Sequence, residues 1–257
     1  MIKQKYCLPL VLFTVSLFLP TLLLTNQASH GQELLEAANQ TQSSSVSSDL
    51  NVTFKPPGKS KPDYTVGGAS RDNGRCPEDA RDSSPSLISL IPVNNQGLSI
   101  AERPTFFVYV PATVAKKAFF SIKDKNEDYY YQTNISLPSS PGIISFQLPV
   151  DAPVLEVGKD YNWSFVMICG QTLRPGDPEV RGTVKRIEQT SALKAKQEQL
   201  SPLARASAYA NEGIWFDTLA TIAQLRQSQP SNQTFASTWV EILESVGLEE
   251  IATEPLL

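Results

Sequence analysis

The sequence predicts an α+β fold: an immunoglobulin-like β-sandwich of about seven strands, followed by a C-terminal three-helix segment. Three observations carry that expectation. Apolar and polar residues alternate in short runs between about residues 67 and 188. Pro, Gly, Asn and Asp separate the runs. After Thr190 the apolar spacing changes from two to that of a helix.

The chain of 257 residues opens on a segment of different character. Lys3 and Lys5 precede an almost wholly apolar stretch from Tyr6 to Leu24, and "TNQASHGQ" then supplies small residues where a peptidase could cut. This is the pattern of a signal peptide over residues 1–28. The stretch also approaches the length that spans a bilayer, so an uncleaved anchor is the competing expectation. Pro9 and Pro20 argue against a long stable helix there. Either way the rest of the chain is expected to be exported, to the periplasm or the cell surface. It would touch a membrane only through this N-terminal segment, if kept. Residues 29–66 contain "NQTQSSSVSSDL" and "KPPGKSKPDY", too polar and Pro-rich to bury a core, and predict a disordered tether.

Over residues 67–188 the expected strands are "SLISLIPV" (86–93), "PTFFVYVP" (104–111), "KAFFSIKD" (117–124), "DYYYQTN" (128–134), "GIISFQLP" (142–149), "DYNWSFVMIC" (160–169) and "EVRGTVKRI" (179–187). Both faces of "FFVYV" are apolar, which predicts a central strand. Residues 189–257 form the helical segment, packed on the sandwich. Ser201-Pro202 is a cap and first-turn pair ahead of Leu203, Ala206 and Ala210. A second helix carries Trp215, Leu219 and Ile222, then Leu225 and Arg226, and ends before Pro230. A third places Phe235, Trp239, Ile242 and Val246 on one face and stops at Gly247.

Chemistry is sparse. Cys7 lies in the signal, which leaves Cys76 and Cys169, an even number in a compartment that permits disulfides. Parity sets Cys169 on the same face as Tyr161, Trp163, Phe165 and Met167, hence inward. A Cys76–Cys169 disulfide is the leading expectation, ahead of two free thiols and of a catalytic role. The single histidine, His30, sits at the expected cleavage site, so no His-dependent relay or histidine-containing zinc site is expected. No catalytic residue, cofactor or metal ligand is assigned. "DKNED" (124–128) opens like a calcium loop, but Tyr129 and Ile135 occupy positions that need Gly and Glu; a hairpin turn is the plainer expectation. "RPGDPE" (174–179) reads as a turn and "KAKQEQ" (194–199) as a solvated helical face. With 22 Lys+Arg against 26 Asp+Glu there is no basic surplus to drive nucleic-acid binding.

"YANEGIWFDTLATIAQLRQSQP" (209–230) has the spacing of the second half of a tetratricopeptide repeat, although solenoids need about three repeats. Arg226 and Gln227, toward the end of its helix, are the candidate partner-binding residues, expected to be solvated.

Taken in order, "GGASRDNGRC", "ERPTFFVYVP", "GIISFQLP", "GKDYNWSFVMIC" and "YANEGIWFDTLATIAQLR" resemble the cyanobacterial domain of unknown function 928 family, from about Gly67 to Leu257. The chain departs from that family at Gly170, where an acidic residue is expected. The resemblance implies an exported protein and brings no catalytic residues. The expected function is therefore a non-enzymatic interaction or scaffold protein of the cell envelope, meeting a protein partner through its helical segment. The alternative is a periplasmic hydrolase using a carboxylate pair.

Overall fold

The unbroken apolar and aromatic run in "TFFVYV" produces strand β3 (Thr105–Val110), which is buried along nearly its whole length. The computed structural model describes residues 52–56, 74–80, 84–197 and 199–257. The expected signal peptide and most of the expected tether lie outside them.

Among the described residues the architecture is α+β, with two sheets, eight strands and four C-terminal helices. In the smaller sheet β3 lies between β1 (Ile88–Ser89) and β6 (Gly142–Gln147), antiparallel to both. The larger sheet runs in the order β2 (Gln96–Ser99), β8 (Glu179–Arg186), β7 (Asp160–Ile168), β4 (Lys117–Asp124) and β5 (Tyr129–Ser136). Its pairs are antiparallel except β2–β8, which is parallel. Helices α1 (Ser191–Gln197), α2 (Pro202–Asn211), α3 (Trp215–Ser228) and α4 (Gln233–Glu244) follow, then a short 3-10 turn at Glu249–Ile251.

Two counts differ from expectation. "SLISLIPV" contributes only the two-residue β1, and the unexpected strand β2 makes an eighth. Strand β2 forms because β8 offers it a parallel edge and α3 covers it. A Cβ on Gly97 would stand only 2.7 Å from a Phe216 ring carbon, so glycine lets the helix approach. Helix α1 is the fourth helix: its buried Leu193 joins Tyr209 and Ile214 in a small apolar cluster.

The two sheets pack face to face. Phe106 of β3 lies 5.1 Å from Phe120 of β4 and 5.2 Å from Trp163 of β7. The next residue, Phe107, points the other way and meets Trp239 of α4 at 6.0 Å. The smaller sheet is thus covered by the larger one on one face and, in part, by helices on the other. Along β7 the expected parity holds: Tyr161, Trp163, Phe165, Met167 and Cys169 are all buried. Trp163 has room because its cross-strand partner is Gly182, where a Cβ would stand 2.8 Å from the indole nitrogen.

Residues 52–56, inside the stretch expected to be a tether, are docked on the folded body. Val52 and Phe54 are buried, Phe54 packs edge-on against Trp215 at 4.8 Å, and the Lys55 amide donates to Ala210 O at 3.1 Å. Burying two apolar side chains two apart, one of them against Trp215, is what docks this short stretch. At the other end, Ile143 N donates to Pro255 O at 2.7 Å and Leu257 N to Ile143 O at 2.9 Å, so the last residues pair with β6.

Candidate functional site

Beside Trp239, which covers Phe107, the outer face of the smaller sheet is left open and forms the floor of a groove of about 830 Å³. Thr105 and Phe107 of β3 face into it together with their register partners Gln147 and Ser145 of β6. Pro202, Arg205 and Tyr209 of α2 form one wall; Asp217, Thr221, Gln224, Gln227 and Ser228 lie along α3. Helix periodicity puts them there. While Trp215, Leu219 and Ile222 turn into the core, residues 217, 221, 224 and 228 recur at three and four on another face.

The lining is mostly neutral and able to hydrogen-bond. The side chains of Thr105, Ser145, Gln224 and Gln227 have no hydrogen-bond partner among the described residues. Arg205 is half-buried and its guanidinium likewise unpaired. Asp217 is held from behind: its Oδ2 accepts the Ser99 hydroxyl at 2.8 Å and the Ile100 amide at 3.1 Å. Burial pushes its carboxyl above the ordinary value, and these hydrogen bonds pull it back only in part. Burial also raises the Tyr209 phenol, with the Asp217 charge adding to the effect. Asp217 is the sole carboxylate lining the groove among the described residues, so no carboxylate pair is assembled there. The same residues contain no group of three His, Cys, Asp or Glu side chains able to hold a metal ion.

The two residues singled out on α3 part company. Gln227 is exposed and lines the groove. Arg226 corrects the expectation of a solvated side chain: it is half-buried, its guanidinium lies 5.3 Å above the Trp239 ring, and Nη1 is buried without a hydrogen-bond partner. Burial lowers its affinity for the proton. The reason was present in the sequence. Position 226 continues the stripe of 215, 219 and 222, and adjacent helix residues point about 100° apart.

Cys76 and Cys169 form a disulfide across 93 residues of chain. The Cys76 turn is fixed further by Asp79, which accepts from the Cys76 amide at 2.9 Å and the Val114 amide at 2.8 Å. "DKNED" is the turn between β4 and β5, closed by Asp124, whose carboxylate accepts from Asn126 N at 2.8 Å and Asp128 N at 3.2 Å. "RPGDPE" is also a turn, with Arg174 N donating to Asp177 Oδ2 at 2.9 Å. Sequence reasoning missed Arg205 and Asp217. The first-turn position of Asp217 was visible, but its partner Ser99 lies 118 residues away.

These features define a small disulfide-bonded α+β body with a polar groove beside its helices. The chain belongs to the family described as Domain of Unknown Function (DUF928), whose model matches residues 66–256. A comparison with curated proteins gives no match. Among the described residues no helix is long and apolar enough to cross a membrane.

Proposed function

We propose that this is an exported, non-enzymatic interaction protein of the cell envelope, and that the groove between the smaller sheet and helices α2 and α3 receives an extended, polar segment of a protein partner. The observation that carries the proposal is the groove's chemistry: unpaired amides and hydroxyls in two rows, with one unpaired guanidinium at the wall. Such a lining suits the amides of a peptide backbone, and Arg205 suits a carboxylate on it. The disulfide supports export, being consistent with an oxidising compartment. We read the paired sheets as immunoglobulin-like, supported by the mainly antiparallel strands packed around Trp163. The α2–α3 hairpin, turned at Gly213 with φ of 71°, supports a tetratricopeptide-like reading of that element. Nucleic acid is not a proposed partner, and membrane contact is confined to an uncleaved N-terminal segment.

A pull-down from periplasmic extract with the full chain as bait tests the proposal. Capture should be lost on Arg205→Glu or Gln227→Lys and kept on Asn126→Lys in the β4–β5 turn. Equal capture by all of them would place the contact elsewhere.

A carboxylate-dependent hydrolase is the second reading, and Asp217, raised by burial inside the groove, is what favours it. Against it, the Oδ2 atom of that carboxylate is already engaged by Ser99 and Ile100, and no second acid faces it. Turnover of any ester, amide or glycoside substrate that disappears in Asp217→Asn would favour this reading over the first.

A further inference from the structure

The sheet edges are not guarded alike. Strand β1 has only two residues, the chain end pairs with β6 at Ile143, and the four-residue β2 lies under Trp215 and Phe216. Strand β5, "YYYQTNIS", is eight residues long and stands last in its sheet. Which way its backbone groups point follows from one bond beyond the strand, Leu137 N to Lys116 O at 3.0 Å. Carried along the register with β4, it turns the N–H and C=O of Ile135, Thr133 and Tyr131 toward β4 and those of Ser136, Asn134 and Gln132 outward. No described residue pairs with those outward groups. Edges of this length are normally blunted by charge, proline, a bulge or a cover. Strand β5 carries no charge and no proline, and the one irregularity in its pairing lies at Ile122/Lys123, opposite its first residues.

We infer that β5 is a strand-addition edge whose occupant is a second copy of this chain, paired antiparallel about a twofold axis at Asn134. A twofold interface requires a strand complementary to itself. With Asn134 opposite its own copy, Gln132 falls opposite Ser136, Thr133 opposite Ile135, and Tyr131 opposite Leu137. Tyr131, Ile135 and Leu137 are partly buried at the rim of the core, so the copy extends that apolar rim. The same register brings the acidic turn Asp124–Asp128 toward the neutral "PSSP" segment, with Asp128 opposite Ser140, so no like charges meet. Pro138, which has no N–H, falls opposite Tyr130 and ends the ladder.

Sedimentation of the full chain over rising concentration tests this. The parent should show a reversible monomer–dimer equilibrium. Asn134→Lys should weaken it by at least about tenfold, because two ammonium groups then meet at the axis. Asn134→Pro should do the same, since it removes an outward N–H that β4 does not use. Gln227→Lys should leave the dimer intact, so failure here is separate from failure of the groove as a contact site. A parent that stays monomeric to about 0.5 mM, well past micromolar affinity, overturns the inference. So does a dimer untouched by Asn134→Lys. If the proline variant does not fold, the lysine variant decides alone, because the Asn134 side chain is exposed.

Discussion

The Ser99 hydroxyl lies 2.8 Å from Asp217 Oδ2 and ties the end of β2 to the first turn of α3. Ser99 is fully buried, and its oxygen also accepts from Ala101 N at 3.1 Å. One side chain therefore sets both where the strand ends and where the groove wall begins. The wall helix, in turn, presents Thr221, Gln224 and Gln227 to the groove.

That carboxylate gives a pH signature. Burial raises the Asp217 carboxyl above its ordinary value of 3.8, so between that value and the raised one the folded chain holds a proton that the unfolded chain has lost. Asp217's contribution to stability is therefore full below 3.8, declines as pH rises through that window, and is level above it. Urea unfolding at a series of pH values should show this decline as the difference between the parent and Asp217→Asn. A difference that is flat, or that rises with pH, would contradict the burial of this group.

The disulfide closes a loop of 93 residues and should stabilise by about 4 kcal/mol in the chain-entropy treatment, with strain or residual structure lowering the figure. Intact-mass analysis after alkylation without reductant should find neither Cys76 nor Cys169 modified. Reductant should lower the urea midpoint. Labelling of both thiols in the folded, air-exposed protein would exclude the bond.

Trp163 is at the centre of the paired sheets, within 5.2 Å of Phe106 and 6.4 Å of Phe120 between ring centroids. Trp163→Ala should cost roughly 3–5 kcal/mol. Gly182→Ala tests the same contact from the opposite strand and should cost about 1–3 kcal/mol, because its Cβ would have to displace the indole or Ile91. A loss below about 1 kcal/mol in both variants would show that Trp163 is not packed into the core between the sheets.

Arg226 and Gln227 should separate sharply despite being neighbours. Arg226→Glu sets a carboxylate against the face of Trp239 and should cost about 1–3 kcal/mol. Arg226→Met should be nearly neutral, since it removes a buried, unpaired nitrogen while keeping the apolar stem. Gln227→Ala should lie within about 0.5 kcal/mol of the parent. Thermal unfolding of the three variants compares them directly.

How far the sequence reveals this molecule depends on how local each signal is. The parity of "YNWSFVMIC" placed Cys169 and Trp163 inside, and two apolar faces marked "FFVYV" as central; both are read within one strand. Strand β2 was not legible, because "QGLS" has only Leu98 as an apolar residue and gains its order from β8 and α3. Val52 and Phe54 were lost in a window dominated by Ser and Pro, although their spacing of two was there to see. The groove has no sequence signature at all. Its floor comes from β3 and β6, its walls from residues 202–228 much later in the chain, and only the fold brings Arg205 and Asp217 beside Thr105 and Gln147.

Amide hydrogen exchange of the chain, with and without the partner recovered by the pull-down, tests the groove as contact surface most directly. The account predicts added protection in peptides covering residues 105–107, 145–147, 202–209 and 217–228, with the β4–β5 turn and β8 unchanged. Protection confined to β4, β5, β7 and β8, with those groove peptides exchanging as before, would contradict it.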